Sequence, residues 1–157
     1  MKNLRTYVLC TSMVLTSIFA VAQDQKIPVN EPDYNKPHLF DNLPTRIPFD
    51  PANFTGLISK QTGTAVSTSL SKDAMIAFEG KITSQVSEEN GRIEKLSIQS
   101  TNYPGATLNL SKITSADGTI RYIGRLISFQ HGDLFILQQN NGQYELVKKN
   151  FYDLVNE

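Results

Sequence analysis

The chain has no tryptophan, one cysteine and only two histidines among its 157 residues. Without tryptophan, the broadest stacking ring is missing, and a polysaccharide-binding face would have to rely on tyrosine. The cysteine, Cys10, sits in the leading apolar segment, so the chain beyond it has no thiol for a disulfide, a zinc site or a nucleophile. Net charge is absent as well, because 15 basic and 15 acidic side chains cancel. That balance is no footprint for nucleic acid, and it disfavours an anionic membrane surface.

Long apolar runs are also missing, apart from one. Lys2 and Arg5 precede an uncharged, largely apolar stretch at residues 7–21, and Ala20-Val21-Ala22 has the small-x-small form that a signal peptidase accepts. The 16 residues from 7 to 22 make about 24 Å of helix, short of the roughly 30 Å hydrocarbon layer, and Thr11, Ser12, Thr16 and Ser17 weaken the run further. The expectation is a cleaved export signal over residues 1–22, which places the rest in the periplasm or outside the cell, with no stable membrane span after cleavage. Lipidation at Cys10 does not fit, since bulky Val8 and Leu9 precede it. Loss of 22 of the 157 residues leaves 135, with 13 basic and 15 acidic side chains, a length that suits one domain.

Six of the seven prolines, Pro28, Pro32, Pro37, Pro44, Pro48 and Pro51, fall within residues 23–53. Each fixes its own φ and removes an N–H donor, so an extended arm is expected there, outside the interior of any sheet. The arm also carries Tyr34, Phe40, Leu43, Ile47 and Phe49, too much apolar surface for a solvated linker. It is expected to lie against the domain that follows, over residues 54–157.

That domain reads as all-β. One or two short edge strands are expected between residues 54 and 72, around Leu57-Ile58 and Ala65-Val66. From there, Ile76, Phe78, Ile82 and Val86 share one parity against Glu79, Lys81, Thr83 and Gln85, the period-two signature of a half-buried strand. Asn90-Gly91 suits a type I′ hairpin turn. Further turn signals separate runs at 92–100, 106–113, 119–130, 134–139 and 143–149. The pattern predicts an antiparallel meander of six to eight strands, curling into a partly closed barrel or two-layer sheet, with a short C-terminal helical turn built on Phe151, Leu154 and Val155. Gly80 and Gly124, in the related stretches Phe78-Glu79-Gly80-Lys81 and Tyr122-Ile123-Gly124-Arg125, are expected where strands bend at a barrel corner.

Chemistry-bearing constellations are sparse. His131 and Asp133 give two metal ligands where three or four are needed, and Glu88-Glu89 lacks the alternating oxygen ligands of a calcium loop, so neither metal nor cofactor is expected. A small hydrolase centred on His131 needs a serine and an acid brought to it by the fold, without the Gly-x-Ser-x-Gly elbow. Arg121 and Arg125 share a parity and, with Lys148-Lys149 on the next strand but one, suggest a basic patch for an acidic partner or a ligand carboxylate. The alternatives are cross-strand pairing with acids, or arginine stems covering Ile123. Two runs, at residues 122–129 and 134–137, are apolar on both parities and need cover on both faces. The residues singled out for binding are therefore Arg121, Tyr122, Arg125, Phe129 and Phe135. The function expected is a small exported non-enzymatic β-domain, monomer or weak homodimer, that binds a protein partner or a small apolar ligand. The alternatives are an inhibitor-like or envelope-assembly role, in which the arm adds to another sheet, and the hydrolase.

Overall fold

The computed structural model describes residues 35–154; the expected export signal and the first part of the arm lie outside them. Eight strands form one antiparallel sheet: β1 (Arg46–Phe49), β2 (Ala65–Ser69), β3 (Ala77–Glu88), β4 (Ile93–Ser100), β5 (Ala106–Thr114), β6 (Ile120–Ser128), β7 (Asp133–Asn140) and β8 (Gln143–Asn150). The spatial order is β1-β8-β7-β6-β5-β4-β3-β2, so the meander β2 to β8 is sequential and β1 returns to the edge beside β8. The sheet curls into a half-barrel. One helix, α1 (Ala52–Ile58), and a C-terminal 3-10 turn (Phe151–Leu154) accompany it. No helix among the described residues is long and apolar enough to cross a membrane.

The six expected strands of the meander are all present as β3 to β8, and the edges are where the structure departs from the sequence pattern. Pro48 lies within β1, paired with β8 through Arg46↔Val147 to Phe49↔Tyr144. An edge strand tolerates proline because the missing donor faces away from the partner. The carbonyl of Pro48, facing away from β8, accepts the N–H of Lys72 at 3.0 Å, so the segment after β2 and the opposite edge strand meet at one corner. Leu57-Ile58 is helical. Phe54, Leu57 and Ile58 are buried at i, i+3, i+4 spacing, Pro51 opens the helix, and Asp50 Oδ1 accepts the Ala52 N–H at 2.9 Å. Seven residues make a helix that is marginal unless docked. Docking is supplied by Phe54, which stacks on Phe49 at 4.9 Å, and by packing against β2 and β4.

Val86 is half-exposed, although it shares the parity of buried Phe78 and Ile82. The β3–β4 register shifts between Ile82 and Ser84, and this bulge inverts the parity of everything beyond it. At the tip, Glu88 pairs with Ile93, so the loop has four residues, three of them, Glu89, Asn90 and Gly91, at positive φ. The two-residue loop with both central residues at positive φ occurs instead at Asn141-Gly142, between Asn140 and Gln143.

The concave face holds the core: Phe78 and Ile82 from β3, Leu96 and Ile98 from β4, Leu108 and Leu110 from β5, Leu126, Phe135 and Leu137 from β6 and β7, and Leu146 from β8. Gly80 and Gly124 stand at close approaches of neighbouring strands. A Cβ at Gly80 would fall 2.5 Å from Gln99 O and 2.7 Å from Ile98 Cγ2, and one at Gly124 would fall 2.8 Å from Asn109 O and 2.5 Å from Leu110 Cδ2. The backbone carbonyl at Gly80 has little room to yield. Gly80→Ala is therefore expected to cost about 2 kcal/mol, as overpacked cores do, read as a lowered urea midpoint; an unchanged midpoint would show that the strands separate freely there.

The expected C-terminal turn is present over Phe151–Leu154, and Val155 lies outside the described residues. The last part of the arm seals one end of the half-barrel. Phe40 is fully buried against Tyr103 and Phe135, with ring centroids 5.7 and 5.6 Å away. Burial pushes the Tyr103 phenol up from its ordinary value. Asp133, itself buried, accepts the N–H groups of Leu39 and Phe40 and lies 3.0 Å from His38 Nδ1. Lys148 Nζ donates to Phe40 O at 3.0 Å from the other side. The polar backbone of the segment is thus satisfied while its ring enters the core.

Candidate functional site

The ladder between β6 and β7 is incomplete. It runs only from Arg125↔Ile136 to Ser128↔Asp133, so residues 120–124 of β6 and 137–140 of β7 diverge without pairing to each other. The cause lies on β8. Tyr144 reaches across, its phenolic oxygen accepts the Tyr122 N–H at 3.1 Å, and the two rings meet edge-on at 5.6 Å. A side chain thereby replaces a ladder bond and props the strands apart. On the concave side this fork is closed by the two tyrosines, by Thr55 Oγ1 at 3.5 Å from the Tyr122 hydroxyl, and by Lys112, which pairs in register with Tyr122. Lys112 donates to Glu94 at 2.8 Å, and that hydrogen bond is the main reason its ammonium pKa is raised.

On the convex side the fork is open. A cavity of about 390 Å³ lies there, lined by Asn109 and Ser111 of β5, Ile123, Gly124 and Arg125 of β6, and Ile136 of β7. The register explains the set: Asn109 faces Arg125, Ser111 faces Ile123, and Arg125 faces Ile136 across adjacent strands. Gly124 contributes bare backbone. Tyr122 turns its N–H toward the β7 side, and by the period of two Gly124 presents its peptide group to the same gap. Ile123 remains 46% exposed, which leaves its side chain available to a ligand.

The polar side chains at this cavity are an amide, a hydroxyl and a guanidinium, all able to donate. Asn109 Oδ1 accepts from the Ser97 hydroxyl at 2.8 Å, which fixes the amide and keeps its NH₂ as a donor. Arg125 and, farther along the same face, Arg121 are exposed and belong to none of the ion pairs among the described residues. Pairing with acidic neighbours thus does not account for them. Lys148 does not join this patch, being committed to Phe40 and Asp41.

Of the five residues singled out from the sequence, Arg125 lines the cavity, Arg121 lies beyond it on the same face, and Tyr122 stoppers the fork from beneath. Phe129 is exposed at the opposite end of β6, where its ring meets Phe151 edge-on at 5.6 Å. Phe135 is wholly buried beneath Phe40 and serves the core. Asn109, Ser111 and Ile136 carry no signal in the sequence, because only the strand register places them beside Arg125 and Ile123.

Two smaller cavities lie elsewhere, about 260 Å³ between Pro48-Phe49, Lys72 and Tyr144, and about 180 Å³ between His38, Asp41, Lys148 and Tyr152. His131 and Ser128 line none of the three. Their side chains do meet, Ser128 Oγ lying 2.8 Å from His131 Nδ1, but the serine is fully buried and Asp133 is engaged by His38 and two peptide N–H groups. Among the described residues no three His, Cys, Asp or Glu side chains gather as metal ligands would. No family model, curated protein or solved structure matches the chain.

Proposed function

We propose that this chain is an exported, non-enzymatic β-domain that holds a small apolar ligand in the convex cavity at the β6–β7 fork. Export rests on the charged start, apolar run and small-x-small site of residues 1–22. Binding rests on one observation: the cavity at the fork has the volume of a small-molecule site, isoleucine walls and a few convergent donors. The concave face is not available for this role, because the core and the segment around Phe40 fill it.

A neutral fluorescent dye such as Nile red is expected to bind and brighten. Ile123→Gln is expected to weaken it about tenfold, the effect of losing one isoleucine contact. Because Ile123 is half-exposed, the substitution leaves the fold intact, which far-UV circular dichroism checks. Equal dye affinity in the two proteins would remove the cavity as the binding site.

The fork itself favours a second reading. Strands β6 and β7 leave peptide groups without partners in each other there, and an extended segment of a protein partner could add between them. In that case binding would protect the amides of residues 124, 137 and 139 from exchange, whereas a small apolar ligand would shift the side-chain methyl resonances of Ile123 and Ile136 and leave amide exchange unchanged.

A further inference from the structure

We infer that the cavity selects an apolar monocarboxylate, with the tail against Ile123 and Ile136 and the head at the Arg125 guanidinium. This rests on the reading of the cavity as a ligand site and adds the charge of what it holds. Arg125 is the one ionisable residue lining the cavity, and no acid lines it. Its strand neighbours on either side are Asn109 and Ile136, neither of which neutralises it. A guanidinium left without an acid at the edge of an apolar cleft offers two parallel N–H donors, the geometry that a carboxylate fills in bidentate fashion.

The remaining donors agree with that choice. Asn109 accepts from Ser97 through its oxygen and has its NH₂ left to donate, and Ser111 adds a hydroxyl that can donate as well. Arg121, two positions beyond Ile123 on the same face, is a second exposed cation outside the ion pairs among the described residues. Strand spacing puts it roughly 13 Å from Arg125, too far for both to grip one small anion. One guanidinium and neutral donors beside isoleucine walls match a singly charged head on an apolar tail; a phosphate, with its higher charge, calls for more cationic partners than one.

The experiment uses the full chain and competition of decanoate and decanol against Nile red at neutral pH, in the wild type, Arg125→Gln and Arg125→Lys. Decanoate is expected to compete at least tenfold more strongly than decanol in the wild type. Arg125→Gln should abolish that preference while leaving decanol unchanged, and Arg125→Lys should keep part of it, since charge remains and the planar fork is lost. Equal competition by the acid and the alcohol, with the dye still bound, would overturn the carboxylate assignment and leave the apolar site standing. Failure of the dye to bind at all would overturn both. A preference for decanoate that survives in Arg125→Gln would place the anion elsewhere.

Discussion

Phe40→Ala is expected to destabilise the protein by about 3–5 kcal/mol, the usual cost of removing a large buried ring. Phe40 comes from the proline-rich segment, far in sequence from the meander, yet it is fully buried and sits between Tyr103 and Phe135. Its removal opens one end of the half-barrel and leaves a cavity that neighbouring strands, fixed by their ladders, fill only in part. Urea unfolding followed by far-UV circular dichroism measures the loss. A change below about 1 kcal/mol, the level of a surface substitution, would show that the ring does not enter the core in solution.

Asp133→Ala is expected to cost about 2–5 kcal/mol, because it removes the acceptor of two peptide donors. The carboxylate is buried at the start of β7 and receives the Leu39 and Phe40 N–H groups, with His38 Nδ1 at 3.0 Å. Truncation strands two peptide donors, and each buried donor without an acceptor costs about 1–3 kcal/mol. The Phe40 and Asp133 effects should not add, because either change releases the same segment. The double variant is therefore expected to lose much less than the two single losses together. Additive losses would mean that the two contacts act separately.

Much of this architecture could be read in the sequence because the physics behind it is local. Alternation of apolar and polar residues located β3 and β4, and recurring turn signals bounded β5 to β8. The shared parity of Arg121 and Arg125, with Ile123 between them, was likewise legible and proved to lie on one exposed face. Helix α1 was hidden because it offers only Phe54, Leu57 and Ile58 as its apolar face within seven residues interrupted by Gly56. The bulge beside Thr83 inserts a residue without any distinctive side chain, and so the sequence pattern alone assigns Val86 to the core. Continuous apolar runs carry no parity, which is why Phe135 stood among the binding candidates although it packs inside.

The fork shows most clearly what local patterning omits. It arises because Tyr144 of β8 captures the N–H of Tyr122 on β6, two strands away, and nothing near either residue announces the contact. Asn109, Ser111 and Ile136 join Ile123 and Arg125 only through the register of three strands. The positive charge of the site was therefore visible in the sequence, and its walls were not. The edge strand β1 was obscured for a related reason: Pro48 argues against a sheet interior, and an edge is the exception that only topology reveals.

Two-dimensional ¹⁵N–¹H spectra of the labelled protein, recorded as Nile red is titrated in, test most directly the division between a filled concave face and a ligand-bearing convex one. The shifting amides are expected to cluster at residues 109–111, 123–125 and 136, while those of Phe40, Phe78, Leu108 and Leu146 stay in place. Shifts concentrated on the concave residues, or around Phe49, Lys72 and Tyr144, would contradict it.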